Sequence, residues 1–528
     1  DLRMVTPHLP SGKGLGRAFI ILALILRYGW QNKPLIFSCQ QTTPALVKSL
    51  SLVKGIRIEV QPEFDLRKRY DAGAGFDINV EIPAIDLKVY NDILQRNEKN
   101  RRAHLRQFEL SLEAWDNPKP QSRTQLNQIV SQAKGFLEGI GLAPTPLVYL
   151  ARLSQNFGKL VFLKDESQRP TASFKLPGVL FEVYKVIQKR LLQVKANPEL
   201  AKRSFYLVTQ TMGNHGIAMI KAITMLIKRY QQEEPGYQEF FDLLTPVVFT
   251  VNNLASAKAN ALKEAMLEYH LLVGRQQGFI FREYRDYPSA RFAREKFIKE
   301  HPGDAVYIEH AGLEIMAGYS WIGQEIIQQL EGIGIKGKDV VLIVPVGAGG
   351  PLGVIAGAKL AENEQKSIKG IVVESISFGA LVRSLKKGRL EKNWSCPCQV
   401  VWIKGHPYIF EDGIAVDGPE PLALKIAQGI ADAGVTVDVQ GAFVRSAPLL
   451  YASLSSITRN PASVIGGTTA LTAEVLFEYP DLSILKQAEV VVLLGTEGNI
   501  PAEIKEEIAR RAESFVFDRC LDGKNDQE

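Results

Sequence analysis

Apolar runs of strand length recur along this chain, and each is followed by a loop and then by a helix-length segment. The run 160–163 leads through the charged turn 164–169 to an apolar helical stretch at 179–192, and 204–209 leads through Met212-Gly-Asn-His-Gly216 to 217–227. The same order holds for 246–251 with 255–267, for 339–346 with Gly347-Ala-Gly-Gly350 and 351–360, and for 489–494 with Gly495-Thr-Glu-Gly-Asn499 and 501–512. Repeated alternation of this kind predicts an α/β fold built on open, mostly parallel sheets with helices on both faces. In such sheets ligands bind beyond the carboxyl ends of the strands. Every loop just named falls at such an end.

Those loops carry the chemistry. Ser173-Phe174-Lys175 opens a helical segment, so Lys175 sits beside unpaired backbone donors and the positive end of the helix dipole. A cation is disfavoured there, and a neutral lysine amine is what Schiff-base chemistry needs. The bland alternative is a surface lysine at a helix start. Gly347-Ala348-Gly349-Gly350 follows a buried-type strand, and its small residues would let backbone N–H groups cradle a phosphate, with Pro351 suited to the first helical turn. A tight strand-to-helix turn would look the same. The spacing is not that of a dinucleotide fingerprint, so a mononucleotide or another monophosphate fits better. In Gly213-Asn214-His215-Gly216, Asn214 can offer its amide to a ring hydroxyl or a carboxylate, against a reading as plain turn chemistry. Thr496 ends an apolar strand and should turn its hydroxyl to the same rim, unless it caps the next helix.

Composition excludes several classes. The chain has 528 residues, 46% of them hydrophobic and 23% charged, and a net charge of +6, values that fit a soluble globular protein with a large core. No Lys/Arg run forms a nucleic-acid stripe, so no nucleic-acid partner is expected. Four cysteines cannot staple a chain this long, which points to a reducing, cytoplasmic setting. Cys396-Pro-Cys398 lacks a second ligand pair and reads as structural, and no metal site is expected. The apolar run 18–26 between Arg17 and Arg27 is too short to span a bilayer and has no cleavage site after it, so it reads as a buried helix and no membrane association is expected. Residues 1–120 read as an accessory α/β segment. It has a glycine turn at Gly12 to Gly16, strands at 34–38 and 56–60, a helix at 44–53 and a charged helical stretch at 87–115. Asp116 to Ser122 reads as a linker to a catalytic domain over 125–528, whose smaller subdomain spans roughly 177–320.

Taken in order, Ser-Phe-Lys, Gly-Asn-His-Gly, the glycine loop and the late threonine resemble the fold-type II pyridoxal-phosphate enzymes, the tryptophan synthase β family, over about residues 140–510. That resemblance implies two open, mostly parallel sheets flanked by helices with the cofactor in the cleft between them, plus the accessory N-terminal segment. Thr145-Pro-Leu147, Leu163-Lys-Asp-Glu-Ser167, Val344 to Leu352, Val372-Val-Glu-Ser375 and Glu411-Asp-Gly-Ile-Ala-Val416 are similar to threonine/serine dehydratases. Thr209 to Gly216 and Met316-Ala-Gly-Tyr319 are closer to diaminopropionate ammonia-lyase. Three departures stand out: Met212 replaces the ammonia-lyase's aspartate, Leu176-Pro177 follows the lysine, and no regulatory domain of the biosynthetic dehydratase type fits after residue 510.

Carried over residue by residue, the resemblance implies that Lys175 bonds pyridoxal phosphate covalently and then serves as the α-proton base. Phe174 would pack beside the ring, Asn214 would bond the ring hydroxyl and Thr496 would face the pyridine nitrogen. Gly347, Ala348, Gly349 and Gly350 would hold the phosphate, while Thr211, Gly213 and His215 would give donors to a substrate carboxylate. The implied activity is α,β-elimination of ammonia or water from an L-β-hydroxy or L-β-amino acid, and the implied assembly is a homodimer. A β-replacement synthase of the same fold, a catalytically silent cofactor-binding or assembly protein, and a transferase built on a Rossmann-like N-terminal half remain as alternatives.

Overall fold

The computed structural model describes five short strands before residue 120, at 4–5, 35–38, 57–60, 77–81 and 108–109, and then residues 120–522 apart from 253, 275–277, 361–366, 394–399, 405, 417, 455–464 and 499. The chain divides into two compact units, Asp1–Arg106 and Gln107–Glu528. In the first, four strands pair in the order Met4–Val5, Leu35–Ser38, Asp77–Glu81, Arg57–Val60, the first pair parallel and the others antiparallel. The strands expected at 34–38 and 56–60 are among them. The glycine turn at Gly12 to Gly16, the helices expected at 18–26 and 44–53, and Cys396 and Cys398 lie outside the described residues.

Besides a two-stranded antiparallel pair, Val401–Ile403 with His406–Tyr408, the second unit holds two larger sheets. The larger has seven strands in the order Phe108–Glu109, Ala433–Val437, Ile368–Ser375, Val340–Pro345, Val490–Gly495, Leu160–Asp165, Leu147–Tyr149. Its five inner strands are parallel, and a short antiparallel strand closes each edge. Val340–Pro345 and Val490–Gly495 are buried at every position, which is why they read as unbroken Val/Ile/Leu runs rather than alternating ones. The smaller sheet is parallel throughout, in the order Ile280–Tyr284, Leu244–Val251, Phe205–Thr211, Ala305–Tyr307. Among the described residues no helix is long and apolar enough to cross a membrane.

Two expectations about the junction need correcting. Phe108–Glu109, inside the stretch expected to be helical, is a strand paired antiparallel with Ala433–Val437, because the sheet edge offers it backbone partners that a local helix does not. Residues 120–122, read as linker, already belong to the helix Pro120–Gly139, since proline is well tolerated in a first helical turn. The same rule disposes of Pro177. It occupies the third position of the helix Lys175–Ala196, where a backbone N–H would have had no intrahelical acceptor.

Candidate active site

The carboxyl ends of both sheets supply one cleft. Thr211 ends the strand Phe205–Thr211, with Met212, Asn214 and His215 just beyond it. Lys258, Tyr287 and His310 follow the other three strands of the small sheet. From the large sheet come Phe174 and Lys175 after Leu160–Asp165, Pro345 to Ala348 after Val340–Pro345, and Thr496 and Glu497 after Val490–Gly495. Gly413, Ile414 and Thr468 complete the wall. Lys175, Asn214, Gly347 and Ala348 of the glycine loop, and Thr496, up to 321 residues apart in sequence (496 − 175), meet here, whereas Gly213, Gly349 and Gly350 do not line the cleft.

The lysine loop is stitched to the threonine loop by backbone. Phe174 N donates to Thr496 O at 3.0 Å, Gly498 N donates to Ala172 O at 3.0 Å, and Ser173 and Glu497 form an antiparallel bridge between them. Lys175 is thereby the first residue of its helix, with its Nζ 4.6 Å from the centroid of the Phe174 ring. Phe174 in turn rests on Tyr319, with ring centroids 5.0 Å apart. Burial lowers the Lys175 amine to about 8; Glu497 opposes the shift and Lys258 adds to it.

Gly213 has φ +116°, which a side chain would strain, and it lets the chain reverse into the helix Asn214–Glu233. Thr211 Oγ1 holds this turn, accepting from Gly213 N at 2.9 Å and Gly216 N at 3.1 Å. The Gly213 N–H, expected to serve a substrate carboxylate, is therefore committed to the turn. Asn214 Nδ2 donates to Glu497 Oε2. Thr496 does not cap the next helix, which starts only at Ala502. Its hydroxyl lies 2.6 Å from that of Thr468, which also donates to Glu497 Oε1 at 3.0 Å.

At the glycine loop, Gly349 has φ +124°, and a Cβ there would come within 2.1 Å of the Ala423 methyl carbon. No backbone N–H of Gly347, Ala348, Gly349 or Gly350 has a protein acceptor among the described residues, while Gly349 O and Gly350 O take the first donors of the following helix. Four uncommitted donors at a helix start make an anion cradle.

Sequence reasoning missed the polar residues that surround these groups. Lys258 is buried and pairs with Asp412 Oδ1 at 2.7 Å and Glu497 Oε2 at 3.0 Å. Burial pulls its amine down, but the two carboxylates outweigh that and raise it. Asp412 is pushed up to about 6 by burial, against the pull of Lys258. The imidazoles of His215 and His310 lie with centroids 4.0 Å apart. Burial lowers both, His310 to about 3, with Lys175 contributing, so both rings are neutral near pH 7. His310 Nε2 sits 2.8 Å from Gln210 O and 3.4 Å from Tyr287 Oη. A signal for Lys258 did exist: like Lys175, it lies in the first turn of a helix that follows a parallel strand.

An open two-sheet α/β unit whose lysine, asparagine, anion cradle and threonine converge at the strand ends defines the fold-type II class of cofactor enzymes. Comparison with known proteins agrees. The pyridoxal-phosphate dependent enzyme family matches residues 140–225 and 260–497, and this chain belongs to that family. It is 24% identical over 395 residues to L-threonine ammonia-lyase of Thermotoga maritima, covering 71% of this chain and 78% of that protein. Among solved structures it is similar to diaminopropionate ammonia lyase from Escherichia coli, with a TM-score of 0.54, 20% identity, and 76% of this chain and 96% of that one covered. It is likewise similar to threonine deaminase isoform 2 from Solanum lycopersicum, with a TM-score of 0.52, 19% identity, and 74% and 89% covered.

Proposed function

We propose that this protein is a lyase that eliminates water or ammonia from an L-β-hydroxy or L-β-amino acid, giving a 2-oxo acid and ammonia. The observation that carries this reading is Lys175. Its amine is held at about 8 at a helix start, against Phe174 and within the loops that also present Asn214, the anion cradle and Thr496. The residues present fit pyridoxal phosphate: four backbone donors without protein acceptors suit a phosphate, and Asn214 and Thr496 supply polar contacts for a ring. When bound, that group supplies the electron sink for charge leaving Cα.

The chain's own residues do the rest. Lys175 would hold the cofactor through Nζ and, when that nitrogen is free, would take the Cα proton on it; an amine near 8 is partly unprotonated at neutral pH and can act so. Thr211 keeps one hydroxyl hydrogen after accepting two backbone bonds, and it can give that hydrogen to the substrate carboxylate. His215, neutral and with no partner for Nδ1 among the described residues, adds a second polar contact beside it. Opposite the ring Thr496 would present a neutral hydroxyl rather than a carboxylate, too weak an acid to protonate a pyridine nitrogen, and this would favour loss of the β-substituent over transamination. The leaving group departs with the electrons of its bond to Cβ and with the proton that Lys175 Nζ took from Cα, and the enamine released hydrolyses in water.

Borohydride reduction of the protein incubated with pyridoxal phosphate, followed by peptide mapping, should place the label on Lys175. The same preparation should form 2-oxo acid from L-serine, L-threonine or L-2,3-diaminopropionate. Label on another lysine, or none with the cofactor in excess, would overturn the proposal.

A further inference from the structure

The ion cluster beside the lysine loop belongs to neither of the expected contact sets, yet it touches both polar residues assigned to the cofactor ring. Glu497 Oε2 accepts from Asn214 Nδ2, and Glu497 Oε1 accepts from Thr468, whose oxygen meets that of Thr496. Lys258 Nζ sits on the same Oε2 at 3.0 Å and on Asp412 Oδ1 at 2.7 Å. The side chains of Lys258 and Glu497 are 1% and 2% exposed, so this is an interior cluster and not a surface pair. Lys258 comes from the small-sheet side of the cleft, and Asp412 and Glu497 come from the large-sheet side.

Resting on the reading just given, we propose that Lys258 is a positioning residue for the cofactor ring: acting through Glu497 and braced by Asp412, its ammonium fixes the amide of Asn214 and sets the field felt by Lys175. A side-chain amide can turn either its nitrogen or its oxygen toward a partner. Glu497 accepts at both oxygens, from Asn214 and Lys258 on one and from Thr468 on the other, so it selects the orientation in which Asn214 presents nitrogen at that end. Nδ2 carries two hydrogens and can serve a carboxylate and a ring oxygen together. Lys258, on Glu497 Oε2 at 3.0 Å, holds that oxygen where Asn214 meets it.

The field on Lys175 gives the role a signature. The charged and titratable groups that face Lys175 are Glu497, which favours its protonated form, Lys258, which opposes it, and the neutral His215 and His310. Removing Lys258 leaves two carboxylates that draw a proton onto Lys175. Removing the charge of Glu497 leaves Lys258 and Asp412 still paired and pushes the proton off. A residue with a merely structural role would not move Lys175 in opposite directions from its two ends.

The test is the pH dependence of covalent trapping. Full-length natural protein, Lys258→Met and Glu497→Gln are each incubated with pyridoxal phosphate across a pH series, reduced with borohydride, and mapped for label on Lys175. The midpoint should rise by about one pH unit in Lys258→Met and fall by about one in Glu497→Gln. Midpoints that stay put, or that move the same way, overturn the role of Lys258 while leaving Lys175 as the attachment site. If Lys258→Met fails to fold, Glu497→Gln decides alone, because it keeps the Lys258–Asp412 bond; a midpoint that does not fall overturns the proposal. Failure of the natural protein to label at Lys175 overturns the proposed function instead. The role of Lys258 is then read from the pH dependence of Lys175 acylation without cofactor, with the same two directions expected and the same outcomes overturning it.

Discussion

Lys175 and Lys258 occupy nearly equivalent places. Each lies in the first turn of a helix that follows a parallel strand, each lines the cleft, and each meets the unfavourable end of a helix dipole. Their electrostatic fates are opposite. Burial takes Lys175 down to about 8, whereas Lys258 is raised although burial acts on it in the same sense. The difference is contact with carboxylates. Lys258 has two within 3.0 Å, while among the described residues Lys175 forms no ion pair and feels Glu497 only at longer range. At Lys258 the two contact carboxylates together outweigh burial. The protonation of each lysine is thus set by what the facing loops bring to it, and not by its place in the helix.

The largest effect expected from this contrast is on stability. Lys258→Met leaves Asp412 and Glu497 buried without their cation and should cost about 3–5 kcal/mol, the range for breaking one side of a buried pair. The raised amine contributes stability that is fully present below its unfolded value of 10.5 and fades only as pH rises through the folded one, so the whole loss should appear at pH 7. Adding Asp412→Asn and Glu497→Gln should restore most of it. Urea unfolding of the cofactor-free protein measures both; a single variant as stable as the natural chain would break the comparison.

Lys175→Met should do the reverse. The folded amine, near 8, lies below its unfolded value of 10.5, so its contribution is present above 10.5 and lost as pH falls through about 8. Near pH 7 the natural lysine therefore carries a penalty of about 3 kcal/mol, from a shift of that size at 1.36 kcal/mol per unit. An apolar side chain of similar length should recover much of it. The gain should shrink with rising pH and vanish above about pH 10.5, as read from urea midpoints of cofactor-free protein. A variant less stable than the natural chain at pH 7 would mean that Lys175 is a structural residue.

The contrast also marks where sequence runs out. The sheets were legible because strands buried on both faces, such as 340–345 and 490–495, are continuous apolar runs bounded by glycine. Lys175, Asn214, the glycine loop and Thr496 were legible because their residue types are unusual at strand ends. One helix start came out late: Asn214–Glu233 was placed from 217, since a polar first turn carries no apolar period. Lys258, Asp412, Glu497 and Thr468 stayed hidden for a different reason. Each is an ordinary polar residue locally, and its importance arises from four separate segments meeting in space. The strand at Phe108–Glu109 was missed on the same ground, because its partner lies more than 300 residues away, at Ala433 and Gly434.

The smallest effect probes how firmly Lys258 is held. Gly213 adopts φ +116°, and a Cβ added there would lie 2.8 Å from Lys258 Cβ and 3.0 Å from its Cδ. Gly213→Ala therefore meets strain in the backbone and a clash with the root of the lysine side chain, which cannot swing away as its tip could. The backbone term alone is about 1–3 kcal/mol. The clash can be relieved by moving Lys258 off its carboxylates or by shifting the helix Ser256–Val273 as a body. Moving the lysine alone would loosen its hold on Glu497, so the pH midpoint for trapping Lys175 should rise, as in Lys258→Met but by less. A shift of the whole helix that preserves the ion pairs would lower stability and leave that midpoint where it was. Measuring both quantities on Gly213→Ala separates the two, and a variant as stable as the natural chain would show that the turn at Gly213 has room this geometry denies it.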